Sequence, residues 1–275
     1  MVNLPEPTPI ATAPPSKVPS PQPKEELKIT PQQRTKKKVL LFVFALLLFL
    51  VLITIIVITF IQNPFLPPEE IRISNNTESS LTISWMSNKS VRQRVYFSPK
   101  PISLPSLFLA KLFPNGIVAT IDDFGSIRTT THHATLRGLE PETQYYYIIA
   151  NGFRFYTHDR QGNPLPLART ASLIESPPQP YLCYGSILDF AEEMPMSPVI
   201  AYLSASDSSL ISAFTNSAGN YSFDLSSLRT QDLKGLFNLN QNSSLILEFQ
   251  GGLWGINKQP LYVKNCQPIK TVTLE

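Results

Sequence analysis

The residues with the most chemical potential lie near the middle of the chain and in its C-terminal half. They are Asp122-Asp123-Phe124-Gly125, the pair His132-His133, and the cysteines Cys183 and Cys266. An Asp/His cluster suggests a metal, and a His beside a Ser suggests an activated nucleophile. Both histidines lie in a run that alternates like a β-strand, where adjacent side chains point to opposite faces. Neighbours on a strand do not share one ion, and His158 is the only other histidine. A nucleophilic triad needs a positioned histidine, and a glycosidase needs two carboxylates across a cleft. No convergent set of either kind is visible, and no C-x-x-C pair suggests zinc or redox chemistry. The expectation is therefore no catalytic residue, no cofactor and no metal, with Asp122–Gly125 a turn.

The elements that must position these residues follow from composition along the chain. The sequence has 275 residues, a formal charge of +3, 26 Pro and 11 Gly. Residues 1–38 hold seven basic and three acidic side chains, leaving +4, while the remainder carries 16 basic and 17 acidic ones, leaving −1. The positive charge belongs to the tail alone, so a folded basic face for nucleic acid is excluded. Residues 1–33 contain nine prolines and no aromatic residue. Such a stretch buries too little apolar surface to offset ordering, so residues 1–38 are expected to be a disordered, basic, cytoplasmic tail.

From Val39 to Ile61 the chain runs 23 residues without a charge, Pro or Gly. As a helix this spans roughly 34 Å, enough for a ~30 Å hydrocarbon core. Its length and the long tail before it fit an uncleaved signal anchor better than a cleaved signal peptide. Arg34, Lys36, Lys37 and Lys38 abut its N-terminal end, whereas Glu69, Glu70 and Glu78 follow. The positive-inside rule then puts the N-terminus in the cytoplasm and residues 62–275 outside the plasma membrane.

Beyond a linker at 62–67, short alternating runs bounded by turn residues read as β-sandwich. Leu81, Ile83 and Trp85 share one buried face, Val91–Phe97 is a strand, and His133–Leu139 and Gln144–Ala150 supply two more. Leu139-Glu140-Pro141-Glu142-Thr143-Gln144-Tyr145-Tyr146-Tyr147 resembles the corner and following strand of fibronectin type III domains, which implies a Tyr hydroxyl bonded back to upstream backbone. The wider run, from Ile71-Arg72-Ile73-Ser74 through Trp85 to His132–Leu139, resembles the N-terminal domain of purple acid phosphatases over residues 68–174. That resemblance implies a non-catalytic sandwich. The family's chemistry sits in a separate two-metal domain with G-D-x-x-Y, G-N-H-[DE] and G-H-x-H clusters, which this chain lacks.

After a Pro-rich hinge at 175–180 a second β pattern occupies 181–275. Gly185-Ser186-Ile187, Pro198–Leu203 and Thr215–Phe223 resemble the carboxypeptidase-regulatory-like or Cna-B-type modules of transthyretin-like fold. Gly219 sits where a tight turn needs positive φ. Cys183 lies on this region's first strand and Cys266 near its last. They form either a disulfide, in an extracellular setting, or two buried thiols. The fold class expected is thus an all-β ectodomain of two tandem β-sandwiches, fibronectin III-like then transthyretin/Cna-B-like, on one transmembrane helix.

The stretch Leu104–Phe113 is unusually apolar. It either packs on the sandwich or exposes Leu107, Phe108, Leu112 and Phe113 as a contact patch. The functional expectation is a non-catalytic, single-pass surface protein for adhesion, scaffolding or protein interaction, with a protein or surface-polymer partner and the membrane itself. An accessory of an extracellular metallophosphatase or hydrolase is the alternative. A carbohydrate-binding protein is a third, with Trp254 as a stacking residue, although a core side chain is the commoner role of such a Trp.

Overall fold

The computed structural model describes residues 31–62, 65–103, 105–107, 116–125, 127–152, 154–176, 178–189 and 198–274. Its helix α1, Pro31–Gln62, covers the whole apolar run. Side chains from Lys38 to Ile58 are all exposed. The helix starts earlier than expected, so residues 31–38 are helical rather than part of an unstructured tail. Pro31 occupies the first helical position, where its fixed φ is preorganised and its missing N–H costs nothing. Extending an existing helix through Gln32–Lys38 is far cheaper than nucleating one. Residues 1–30 lie outside the described residues.

Residues 56–275 form one compact unit that holds the strands. The first eight are β1 (Glu69–Ser74), β2 (Ser80–Val91), β3 (Arg94–Ser98), β4 (Val118–Ile121), β5 (Thr129–Arg137), β6 (Gln144–Asn151), β7 (Arg154–Tyr156) and β8 (Ala168–Arg169). One sheet has the order β1-β2-β5, the other β4-β3-β6-β7 with β8 on β6. Leu81, Ile83 and Trp85 of β2 point inward as their alternation predicts, against Val95, Phe97, Leu136, Tyr145 and Ile149. The Tyr145 hydroxyl accepts from the Glu140 N–H at 2.9 Å, closing the corner that the sequence resembles.

One local difference from expectation has a physical cause, and one open alternative is resolved at Leu107. The run 91–97 is not one strand, because β2 ends at Val91 and β3 begins at Arg94. The break turns Gln93 inward, where its amide oxygen accepts from Trp85 Nε1 and its Nε2 donates to the Leu66 carbonyl at 3.3 Å. A buried indole N–H needs such a partner. Leu107, in turn, is not part of an exposed patch: it is 2% exposed and packs with Tyr96, Ile148 and Ala150 on the outer side of β3 and β6. Phe108, Leu112 and Phe113 lie outside the described residues.

The remaining strands are β9 (Leu182–Asp189), β10 (Ile200–Ser204), β11 (Ile211–Phe214), β12 (Asn220–Asp224), β13 (Ser244–Gln250), β14 (Ile256–Tyr262) and β15 (Val272–Leu274). They form two sheets, β11-β10-β13-β14 and β12-β9-β15, the last pair parallel. Ala201, Leu203, Ile211, Tyr221, Phe223, Leu247 and Phe249 fill the space between them. Gly219 takes φ +72° in the turn from β11 to β12, and Asn216 Oδ1 caps it by accepting from the Ala218 and Asn220 N–H groups. Cys183 and Cys266 are disulfide-bonded with Cα atoms 4.6 Å apart. Closing a loop of this length contributes about 4 kcal/mol on a chain-entropy basis.

The outward face of β1-β2-β5 packs on the outward face of β11-β10-β13, and the seam is polar. Tyr202 donates from its hydroxyl to Ser84 Oγ at 2.8 Å, with Arg72 over its ring at 4.6 Å. Arg72 also donates to Glu248 at 2.5 Å, and Thr131 Oγ1 to the Pro198 carbonyl at 2.9 Å. Burial pushes the Tyr202 hydroxyl up to about 12, so it remains a neutral donor. At the far edge Arg229, 3% exposed, donates to Glu78 at 2.8 Å and to the Ser172 carbonyl at 3.1 Å. The segment 175–180 therefore joins two sandwiches that are already bonded to each other.

Candidate functional site

Strand alternation sends the two histidines of β5 in opposite directions. His132 faces the first sandwich's core, fully buried and stacked on Trp85 with centroids 5.1 Å apart. Its Nδ1 lies 2.6 Å from Asp122 Oδ2 and its Nε2 3.0 Å from Ser87 Oγ. His133 faces the second sandwich. Its Nδ1 lies 2.7 Å from Asp123 Oδ2 and its Nε2 2.9 Å from Ser212 Oγ. Both aspartates come from the turn after β4. That turn is held against β5 by the Asp123 N–H donating to the His133 carbonyl and the His133 N–H donating to Asp122 Oδ1.

Each chain of contacts has the Asp–His–Ser form that deprotonates a serine in hydrolases. The sequence reading found no convergent set here, because Ser212 is 79 residues from His133 and belongs to the other sandwich. The readable trace was the spacing: each histidine follows its aspartate by ten residues.

The Ser212 oxygen is nevertheless fully committed. Asp123 holds His133 through Nδ1, and His133 Nε2 engages the Ser212 hydroxyl. Ser212 Oγ then accepts from Asn75 Nδ2 at 3.1 Å and pairs with Ser74 Oγ at 2.7 Å. A hydroxyl has one donor and two acceptor positions, and all three are spent. No direction is left from which an acyl carbon could be attacked. The Ser87 hydroxyl likewise donates to the Lys89 carbonyl at 2.8 Å inside a buried residue.

Burial alone would raise the Asp123 carboxyl, but hydrogen bonds from His133 and Thr135, with the charge of His133, hold it below the ordinary range. It is the anionic anchor of the seam. Among the described residues no three of His, Cys, Asp and Glu gather where a metal could sit.

Beside His133 and Ser212 opens a groove of about 950 Å³, walled by β9, β11, β12 and the segment before β15. Among the described residues, none that lines it is Asp, Glu, Lys or Arg. Tyr184, 45% exposed, and Phe214, 37% exposed, present rings on its walls. The Phe214 ring also packs edge-on against His133 at 5.3 Å and Phe124 at 4.9 Å.

Trp254 is a second surface feature. It is 50% exposed rather than a core side chain, next to Leu253 at 81%. Gly252 of its loop, at φ +67°, lies so close to Thr130 and Thr131 of β5 that a side chain at that position would collide with them.

No curated protein matches this chain. Among solved structures, the FN5 domain of Drosophila Lar is 17% identical, covering 38% of this chain and 96% of its own, with a TM-score of 0.23. The fn3 domain of human collagen α-1(XX) is 18% identical, with coverages of 41% and 90% and a TM-score of 0.23. A two-domain fibronectin type III segment of chicken tenascin is 13% identical, with coverages of 71% and 99% and a TM-score of 0.25. Residues 68–160 match the family model of the purple acid phosphatase N-terminal domain, a β-sandwich of fibronectin III-like form.

Proposed function

We propose that this chain is a non-catalytic, single-pass surface protein that holds two bonded β-sandwiches outside the plasma membrane to bind a protein or a surface polymer. The observation that carries the reading is α1, whose exposed, charge-free run is long enough to cross a bilayer. The basic residues before it and the acidic ones after it support an N-terminus in the cytoplasm. The spent hydroxyl of Ser212 supports binding over catalysis. For residues 181–275 a transthyretin-like module of Cna-B type is supported by the β9 to β12 order and the Gly219 turn.

The family match over residues 68–160 favours a second reading, an accessory of an extracellular metallophosphatase. Protease treatment of intact cells separates right from wrong topology. Fragments from residues 65–275 should appear in the medium while an epitope at the N-terminus stays protected. The reverse pattern overturns the anchor orientation. Phosphatase activity of the purified chain with added iron or zinc overturns the non-catalytic reading.

A further inference from the structure

We propose that the groove between β9, β11 and β12 binds a neutral saccharide, an inference that rests on the binding reading above and names the class of polymer. The lining sets the chemistry by exclusion. A phosphate, nucleotide or carboxylate ligand needs a cationic partner, and among the described residues no Lys or Arg lines the groove. A metal ion or an amine needs a carboxylate, and none lines it either. An apolar ligand needs a mainly apolar wall, yet Ser186, Ser222, Asn216, Asn220 and Thr271 contribute hydroxyls and amides throughout.

An extended peptide would add to the open edge of β11, a strand of only four residues. That edge is closed at Ser212. The Asn75 side chain pairs with the Ser212 backbone as a neighbouring strand would, its Oδ1 accepting from the Ser212 N–H at 2.8 Å and its Nδ2 donating to the Ser212 carbonyl at 3.0 Å. Asn75 adopts φ 51° just after β1, a conformation unusual outside glycine, and from there it reaches across to the second sandwich.

What remains is a ligand that is uncharged, rich in groups that both donate and accept, and flat and C–H-rich on one face. Hydroxyls of a sugar match the hydroxyls and amides of Ser222, Asn220 and Thr271, which are likewise donor and acceptor at once. The exposed rings of Tyr184 and Phe214 offer the apolar faces. A groove of about 950 Å³ has room for a short oligosaccharide.

The test uses the full chain in lipid nanodiscs, since alkyl-glycoside detergents would compete for the site. An array of neutral, anionic and cationic oligosaccharides is probed beside a random-peptide library. Retention of neutral oligosaccharides is expected, competed by the same free sugar. Tyr184→Ala and Asn220→Ala, both at exposed positions, should weaken it about tenfold at unchanged melting temperature. Trp254→Ala, remote from the groove lining, should bind as the parent does.

Silence across the neutral sugars, retention of charged sugars or peptides only, or parental binding by both groove variants overturns the inference. Glycan silence with a specific, crosslinkable protein partner overturns only the saccharide. Glycan silence with residues 65–275 shielded from protease on cells overturns the surface-protein reading beneath it.

Discussion

His132 and His133 are neighbours on β5, and each bonds an aspartate from the same turn and a serine from a distant strand. The inner relay ends on Ser87 within the first sandwich and lies against Trp85, so it is part of a core. The outer relay ends on Ser212 of the second sandwich, so it is part of a seam between bodies. Identical chemistry is placed in two mechanical roles by nothing more than strand alternation. The comparison also separates form from function. An Asp–His–Ser chain becomes a nucleophile only when the serine keeps an open side, and neither serine here does.

Removing the inner imidazole should cost most. His132→Ala empties space against Trp85 and strands the buried Asp122 carboxylate, which together should cost about 4 kcal/mol of global stability in denaturant titration. A loss below about 1 kcal/mol would mean that this relay is not part of the core. His133→Ala should cost about 2 kcal/mol, since it takes one hydrogen-bond partner each from Asp123 and Ser212 at once. Its signature is local: hydrogen exchange should accelerate in β1, β10 and β11 while β3 and β6 stay protected. Uniform acceleration would put the two relays in one cooperative unit and dissolve the distinction.

Acid should act on the outer relay in a set direction. The Asp123 carboxyl is held below its ordinary value in the folded state, so its contribution is complete above the unfolded value of about 3.9 and is lost as pH falls through the folded one. Exchange at the seam should therefore rise below about pH 4, and Asp123→Asn should remove that dependence. If the variant keeps the same acid profile, Asp123 is not the anchor. The smallest effect concerns the serines: a fluorophosphonate probe should label neither Ser87 nor Ser212, and labelling of Ser212 that is lost in Ser212→Ala would make the seam a reactive site.

The sequence carried local information well. Alternation in Leu81–Trp85, the Tyr145 corner and the Gly219 turn are each set by residues within a few positions of one another. Contacts between the sandwiches were invisible for the opposite reason. Ser212 serves His133 across 79 residues, and Asn75 reaches Ser212 across 137. Neither serine nor asparagine announces such a role by type. The Trp254 exposure was hidden similarly, because its loop meets β5 at Gly252, far away in sequence. Gln93 is intermediate: between Arg92 and Arg94 it reads as one more polar strand residue, and it signals a break only once Trp85 is known to need an acceptor.

The disulfide has a consequence for load. Suppose a bound partner pulls on the strand end at Leu274 while the chain is held near Pro180. Tension entering at β9 crosses from Cys183 to Cys266 and bypasses the chain between them, a sequence separation of 83. Only the short segment from Cys266 to β15 then bears the force, and β15 runs parallel to β9 with Val272, Thr273 and Leu274 opposite Ile187, Leu188 and Asp189. Opposed pulls along parallel strands load their hydrogen bonds in shear, all together, rather than unzipping them one at a time. The second sandwich is wired so that a tug shortens the stressed path to a single strand and leaves the walls of the groove on β11 and β12 slack.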